Sequence, residues 1–179
     1  MVTTTLTLIL AHFLADFLFQ PRCLVNYKLT HFGGVLLHGF IHLVTYALIL
    51  FPFWNEPRVF WAILFIAALH VLVDQVRIQL NRRPTTNLWI SYVLDQVIHL
   101  TVIVLVSVYY IGSIAGSYPV DSTVISYALA ALLSTYFFDI TRWVYQSSKS
   151  PRPYTRDYKM MAKNFTIVTI AFVLYWVMR

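Results

Sequence analysis

The sequence predicts an all-α polytopic membrane protein of about six transmembrane helices, the first four being a duplicated two-helix unit that forms a bundle around a polar site. Three observations carry this expectation. Of the 179 residues, 59% are hydrophobic and 11% charged, and the mean hydropathy is +0.69, too apolar for a soluble domain. The apolar residues fall into stretches close to the roughly 20 residues a helix needs to cross the hydrocarbon core. Inside those stretches, histidines and aspartates recur in a repeated pattern, and an ionisable group in lipid is costly enough to mark a functional site.

The six stretches lie at 3–19, 32–53, 59–80, 88–111, 122–145 and 160–178. Between them stand ordinary stop signals: Gln20-Pro21-Arg22, Pro52 to Pro57, Asn81-Arg82-Arg83-Pro84, Gly112 to Pro119, and Ser147 to Pro153. One transmembrane domain is expected, made of a first hairpin repeat (3–53), a second (59–111), and two packing helices (122–178) that close the bundle or meet a second copy or a membrane partner. The first run carries His12 and Asp16 and lacks a basic leader and a small-residue cleavage site, so it is expected to stay on the chain. The lone cysteine, Cys23, allows neither an internal disulfide nor a thiolate metal site. Trp54, Trp61, Trp89, Trp143 and Trp176 sit near span ends, as interface anchors do.

Orientation follows from the cations. The first, third and fifth connections with their flanks hold Arg22, Lys28, Arg77, Arg82, Arg83, Arg142, Lys149, Arg152, Arg156, Lys159 and Lys163, against Arg58 and Arg179 on the other side. The positive-inside rule puts those three connections in the cytoplasm and both termini outside. This asymmetry accounts for the net charge of +6, and beside a membrane span the basic tract 149–163 reads as contact with anionic lipid headgroups, not with nucleic acid.

Two segments repeat. His12 to Asp16 (HFLAD) matches His70 to Asp74 (HVLVD), and Leu37 to Leu43 (LHGFIHL) matches Leu94 to Leu100 (LDQVIHL), at offsets of 58 (12 to 70) and 57 (38 to 95). A duplicated hairpin is the reading. Within each helix the polar residues are four apart, hence on one face one turn apart. At 1.5 Å rise per residue from the cytoplasmic ends, Asp16, His38, Asp74 and Asp95 lie roughly 5–10 Å deep, and His12, His42, His70 and His99 roughly 10–16 Å deep. The four antiparallel helices thus align a mostly carboxylate layer and an imidazole layer.

Neutral imidazole and carboxylate are ligands for zinc and also for manganese and iron, and these eight groups suffice for two divalent ions, zinc being the first expectation. Two such ions, three aspartates and a bridging hydroxide make a neutral site, tolerable in a low-dielectric slab. Ligands one turn apart grip an ion with little ordering cost, as in zinc helices and four-helix metal bundles. A metal pair acidifies bound water and polarises phosphoryl or acyl oxygens, so hydrolysis is the natural reaction, with Asp16 or Asp95 as candidate general base. Gln20, Gln75 and Gln96 are candidates for hydrogen bonds to the ligands. Arg77, Arg22 and Lys28 form a candidate cationic rim for an anionic headgroup. Asp139 and Arg142, three apart, are expected to pair, and His31 reads as an interfacial residue.

HFLADFLFQ at 12–20, LLHGFIH at 36–42, HVLVDQ at 70–75 and DQVIH at 95–99 resemble the motifs of a family of small bacterial inner-membrane proteins of unknown function, the DUF3307-like proteins. That family is similar in its His/Asp pattern to the membrane-bound metal-dependent hydrolases. The resemblance covers roughly residues 8–100 and implies a metal site and a bacterial plasma membrane; it lends no substrate.

The leading function is a membrane-embedded metal-dependent hydrolase acting on a lipid or lipid-linked substrate, reached from within the leaflet. The alternatives are a metal-ion or proton transporter using the same cluster, and a haem-binding redox protein. A transporter needs a path to both faces, and the outer halves of the four helices hold no ionisable residue to continue one. Three aspartates in the layer weigh against a haem pocket.

Overall fold

The computed structural model describes residues 2–111 and 119–178, and the regular structure in that range is all helix. The predicted break from Gly112 and the cation Arg179 lie outside the described residues, except for Pro119. Helix α1 (Val2–Phe13) runs on into a π-helical turn at Leu14–Leu18; α2 (Arg22–Thr30) follows at 88° to it. Then come α3 (Phe32–Ile49), α4 (Pro57–Asn81) and α5 (Leu88–Val106), the last extended by a π turn at Ser107–Ile111. Helices α6 (Ser122–Leu132) and α7 (Phe138–Lys149) are joined without a break by a π turn, and α8 (Tyr158–Met178) ends the chain.

Five helical runs are long and apolar enough to cross a membrane, and a sixth is added if the bent pair α1–α2 counts as one span. The ends are set locally. Pro57 opens α4, where a missing N–H costs nothing. Asn87 caps α5, its side chain accepting from the Trp89 and Ile90 amides, and Asp121 caps α6 through the Thr123 amide.

One expectation is corrected. Residues 20–31 read as a basic connection, yet Arg22–Thr30 form a helix that packs along α3. Pro21 supplies its non-helical N-terminal boundary, and Gly34 lets the two helices touch: a Cβ there would run into the backbone of Tyr27 and Lys28.

Helices α3 and α5 each pack against both α1 and α4, which closes a four-helix ring. Its core divides by height. At the end formed by the start of α1, the C-terminal end of α3 and the start of α4, it is apolar, built from Leu8, Ala11, Leu50, Val59, Ile63 and Ile103. At the other end it is lined by histidine and aspartate. The α6–α7 run packs against α1 and α5, with Phe13, Phe17 and Leu132 at the centre of a second apolar cluster, and α8 lies outermost.

The segment 150–157 between α7 and α8 is a strap tied back to α7. Tyr154 donates its hydroxyl proton to Asp139 at 2.7 Å, Arg142 reaches Asp157 at 3.1 Å, and Trp143 Nε1 donates to the Arg152 carbonyl at 3.2 Å. Burial, aided by the Asp139 bond, pushes the Tyr154 hydroxyl up to about 12, so it remains a donor at neutral pH. The expected Asp139–Arg142 pair is loose at 4.0 Å, because each residue has a closer partner on the strap.

In lipid, helices associate by close packing and polar contacts and not by hydrophobic exclusion. Gly39 is the closest such contact between α3 and α4: a Cβ there would strike the Val71 side chain. Gly39→Ala is expected to cost about 1–3 kcal/mol of overpacking and to lower the thermal midpoint in detergent. Gly33→Ala, whose Cβ would meet only the tip of the Tyr27 side chain, is the tolerated control.

Candidate metal centre

Asp16 is the hub of the polar end. It sits in the π turn that closes α1, a local widening of the helix often found at functional sites. Its Oδ1 lies 3.0 Å from His38 Nε2, 3.0 Å from His42 Nε2 and 3.6 Å from His70 Nε2, and its Oδ2 lies 3.4 Å from His12 Nε2. Helices α1, α3 and α4 therefore aim four imidazoles at one carboxylate. The rings also touch one another: the His42 and His70 centroids are 3.6 Å apart, those of His70 and His99 4.1 Å, and those of His38 and His42 4.7 Å. The close approach of α3 and α4 at Gly39, next to His38, brings these rings together.

All five histidines are essentially removed from solvent, His12, His38 and His42 completely so. Several of their nitrogens lack hydrogen-bond partners among the described residues: both on His12, both on His99, Nδ1 on His42 and Nε2 on His70. Buried polar atoms are rarely left unpaired, because each costs about 1–3 kcal/mol. A cluster of such atoms facing a carboxylate is what a cation site looks like without its cation.

The spacing fits too. Asp16, His38, His42 and His70 present ligand atoms all within 4.8 Å of one another, and two overlapping sets do the same: His12, Asp16, His99 and His70, Asp74, His99. Four ligands at tetrahedral zinc distances of about 2.0–2.1 Å would stand about 3.3 Å apart, close to the separations around Asp16.

The other two aspartates are held by cations. Lys28, swung in on α2, donates to Asp74 Oδ2 at 2.8 Å; Arg77 donates to Asp95 Oδ2 at 2.9 Å. Asp74 Oδ2 is also 3.5 Å from His70 Nε2 and 3.7 Å from His38 Nε2. Asp95 is in none of the three close sets and keeps Oδ1 unpartnered. Lys28 and Arg77 thus stand inside the site as counter-ions, where the sequence suggested a rim. Gln96 bridges two carboxylates, donating to Asp95 Oδ2 at 3.2 Å and Asp16 Oδ2 at 3.4 Å. Gln20, with its amide turned to satisfy both ends, accepts from Lys28 Nζ at 2.8 Å and donates to the Asp16 carbonyl at 3.3 Å. Gln75 is half-buried and makes no side-chain hydrogen bond to the cluster, and His31 is exposed.

Sequence reasoning missed Tyr46. It is fully buried, its hydroxyl has no partner among the described residues, and it lines a void of about 10 Å³ with His12, His70 and His99. That volume is about one water-sized occupant. The signal was available: His38, His42 and Tyr46 are spaced i, i+4, i+8 on one face of α3.

Beside Asp16 and Asp74 lies a cavity of about 490 Å³, in the size range of small-ligand sites. Arg22, Lys28, Arg77 and Arg156 line it. Its far wall comes from α7 and the strap, through Ile140, Trp143, Val144 and Tyr154, so the last part of the chain does more than pack.

Lys28→Met strands the Asp74 carboxylate, and removing one partner of a buried pair costs about 3–5 kcal/mol. Asp74→Asn in the same chain should recover much of that loss. Unfolding midpoints of both single variants and the double variant give the coupling, and additive effects would mean the pair contributes nothing.

No curated protein and no solved structure matches the chain. A family model described as a protein of unknown function, DUF3307, matches residues 4–130, a range that holds all five buried histidines and the three aspartates among them. The chain belongs to the DUF3307 family.

Proposed function

We propose that the protein is a membrane-embedded metal-dependent hydrolase whose centre is built on Asp16, His38, His42 and His70 and whose substrate is a lipid or lipid-linked compound. The observation that carries this reading is the convergence of three imidazole nitrogens to within 3.0–3.6 Å of one Asp16 oxygen, next to a cavity large enough for a substrate headgroup. A divalent ion held there supplies an acidified water and a Lewis acid for a phosphoryl or acyl oxygen. Zinc suits the donor set best, manganese and iron next.

Charge bears on the number of ions. Asp16, Asp74 and Asp95 against Lys28 and Arg77 leave one negative charge when the histidines are neutral. One divalent ion with a bound hydroxide then closes the balance; a second requires the two basic side chains to leave. We therefore put one ion at Asp16, with His12, His99 and Asp74 available to a second once Lys28 and Arg77 swing out.

The remaining residues divide the work. Asp16 is a ligand, ringed as it is by imidazoles. Asp95, outside the close sets with a free Oδ1, is the proton acceptor of choice, positioned by Arg77 and Gln96. The matched HxLxD and LxxxIHL segments support a duplicated hairpin as the origin of the ring, with α2 in the first half occupying the stretch that in the second half is the end of α4 and the loop after it. The cation distribution supports an orientation with the centre in the cytoplasmic half of a bacterial inner membrane and both termini outside.

A transport path is disfavoured by the core at the opposite end of the ring, which among the described residues holds no buried acidic or basic side chain. Haem is disfavoured because the histidine rings lie against one another, with only about 10 Å³ between them.

Elemental analysis of the purified protein should give about one divalent metal per chain. Asp16→Asn and His42→Ala should each lower that ratio at least tenfold, and chelation should abolish hydrolysis of lipid phosphates or acyl esters, with the added metal restoring it. A folded, metal-free wild type that no divalent ion stabilises would end the proposal.

A further inference from the structure

We propose that the cavity beside the centre is a site for a phosphate-bearing amphiphile, a phosphate monoester or pyrophosphate on a hydrocarbon tail, with Arg22 and Arg156 as its anion clamp. This deepens the hydrolase reading and rests on it only for what happens after binding.

Charge makes the first argument. The lining holds four cations, Arg22, Lys28, Arg77 and Arg156, and two acids, Asp16 and Asp74. Lys28 is neutralised by Asp74, and Arg77 by Asp95 just behind the wall. Arg22 and Arg156 have no acidic partner among the described residues. Two guanidiniums lining one cavity, neither paired with a carboxylate, make it attractive to an anion.

Geometry makes the second. Each guanidinium lies over an aromatic ring, Arg22 over Tyr154 at 5.3 Å and Arg156 over Tyr136 at 5.1 Å. A guanidinium stacked on a ring is pre-oriented to meet phosphate oxygens, and although Arg156 also hydrogen-bonds the Tyr154 hydroxyl, a guanidinium has five N–H donors and keeps others for an anion. Tyr154 is itself fixed by its bond to Asp139, so the strap serves to hold Arg22 and Arg156 in place.

The rest of the wall indicates what the anion is attached to. Phe17, Leu29, Ile78, Leu88, Ile140 and Val144 give the cavity apolar wall beside polar residues such as Asn26, Asn81 and Ser147. Free phosphate has no use for so much apolar surface, and a cavity of about 490 Å³ accepts a headgroup and the first part of a tail but not a whole lipid. A phosphoryl group held by the two arginines shares the cavity with Asp16, the carboxylate at the candidate metal centre.

The test uses chelator-treated, full-length protein in a neutral maltoside detergent, so that binding is read without metal and without turnover. Calorimetric titration with dodecyl phosphate should show saturable binding at least tenfold tighter than with dodecanol or inorganic phosphate. Arg22→Gln with Arg156→Gln should weaken dodecyl phosphate binding about tenfold or more while leaving the metal content of unchelated protein unchanged; the exposed Lys163→Gln should change neither. If the double variant does not fold, each single variant should still weaken binding about threefold.

The proposal is overturned by dodecanol binding as tightly as dodecyl phosphate, or by arginine variants that bind like wild type. Inorganic phosphate binding as tightly as the alkyl ester overturns the lipid-borne tail. A protein that binds dodecyl phosphate but holds no metal would sink the hydrolase and spare this site.

Discussion

Everything at the polar end answers to one constraint: three carboxylates sit in a helix bundle that lipid surrounds, and each has to be compensated from within the protein. Burying an ionised carboxylate alone costs several kcal/mol even after relaxation. Asp74 and Asp95 meet the constraint with a lysine and an arginine. Asp16 meets it with imidazoles and the Gln96 amide but no lysine or arginine, and imidazole is the weaker compensator because it is neutral unless protonated. The site is therefore short of positive charge at the one point where nitrogen donors are most crowded.

The fold follows from that demand. Helix α2 departs from α1 at a right angle and lies along α3, which carries Lys28 to Asp74. Gly34 and Gly39 remove side chains where α3 must approach α2 and α4. The π turn at Leu14–Leu18 sets Asp16 among rings from two other helices. The glycines serve packing in general, whereas the bent α2 and the π turn act on the charged residues they carry.

The spans were legible in the sequence because length and apolarity are local properties: each stretch from 32–53 to 160–178 agrees with its helix to within a few residues. The eight clustered side chains were legible because a polar residue in a lipid-facing window stands out and a spacing of four fixes its face. What escaped was non-local or weakly marked. Helix α2 is short and polar, so Arg22–Thr30 resembles any basic loop until α3 is seen beneath it. The pairing of Lys28 with Asp74 spans 46 positions, and that of Tyr154 with Asp139 depends on the strap folding back. Tyr46 was overlooked because tyrosine is unremarkable in a membrane helix, although its register with His38 and His42 was on the page.

The right-angle turn after Leu18 has a further effect on the walls of the site. A helix that ran straight on would put Lys28, twelve residues after Asp16, about 18 Å farther along the axis. The bend instead folds Arg22–Thr30 back along α3, so that Arg22 and Lys28 line the same cavity as Asp16. The angle between two consecutive helices therefore sets the charge of the cavity without moving a single histidine.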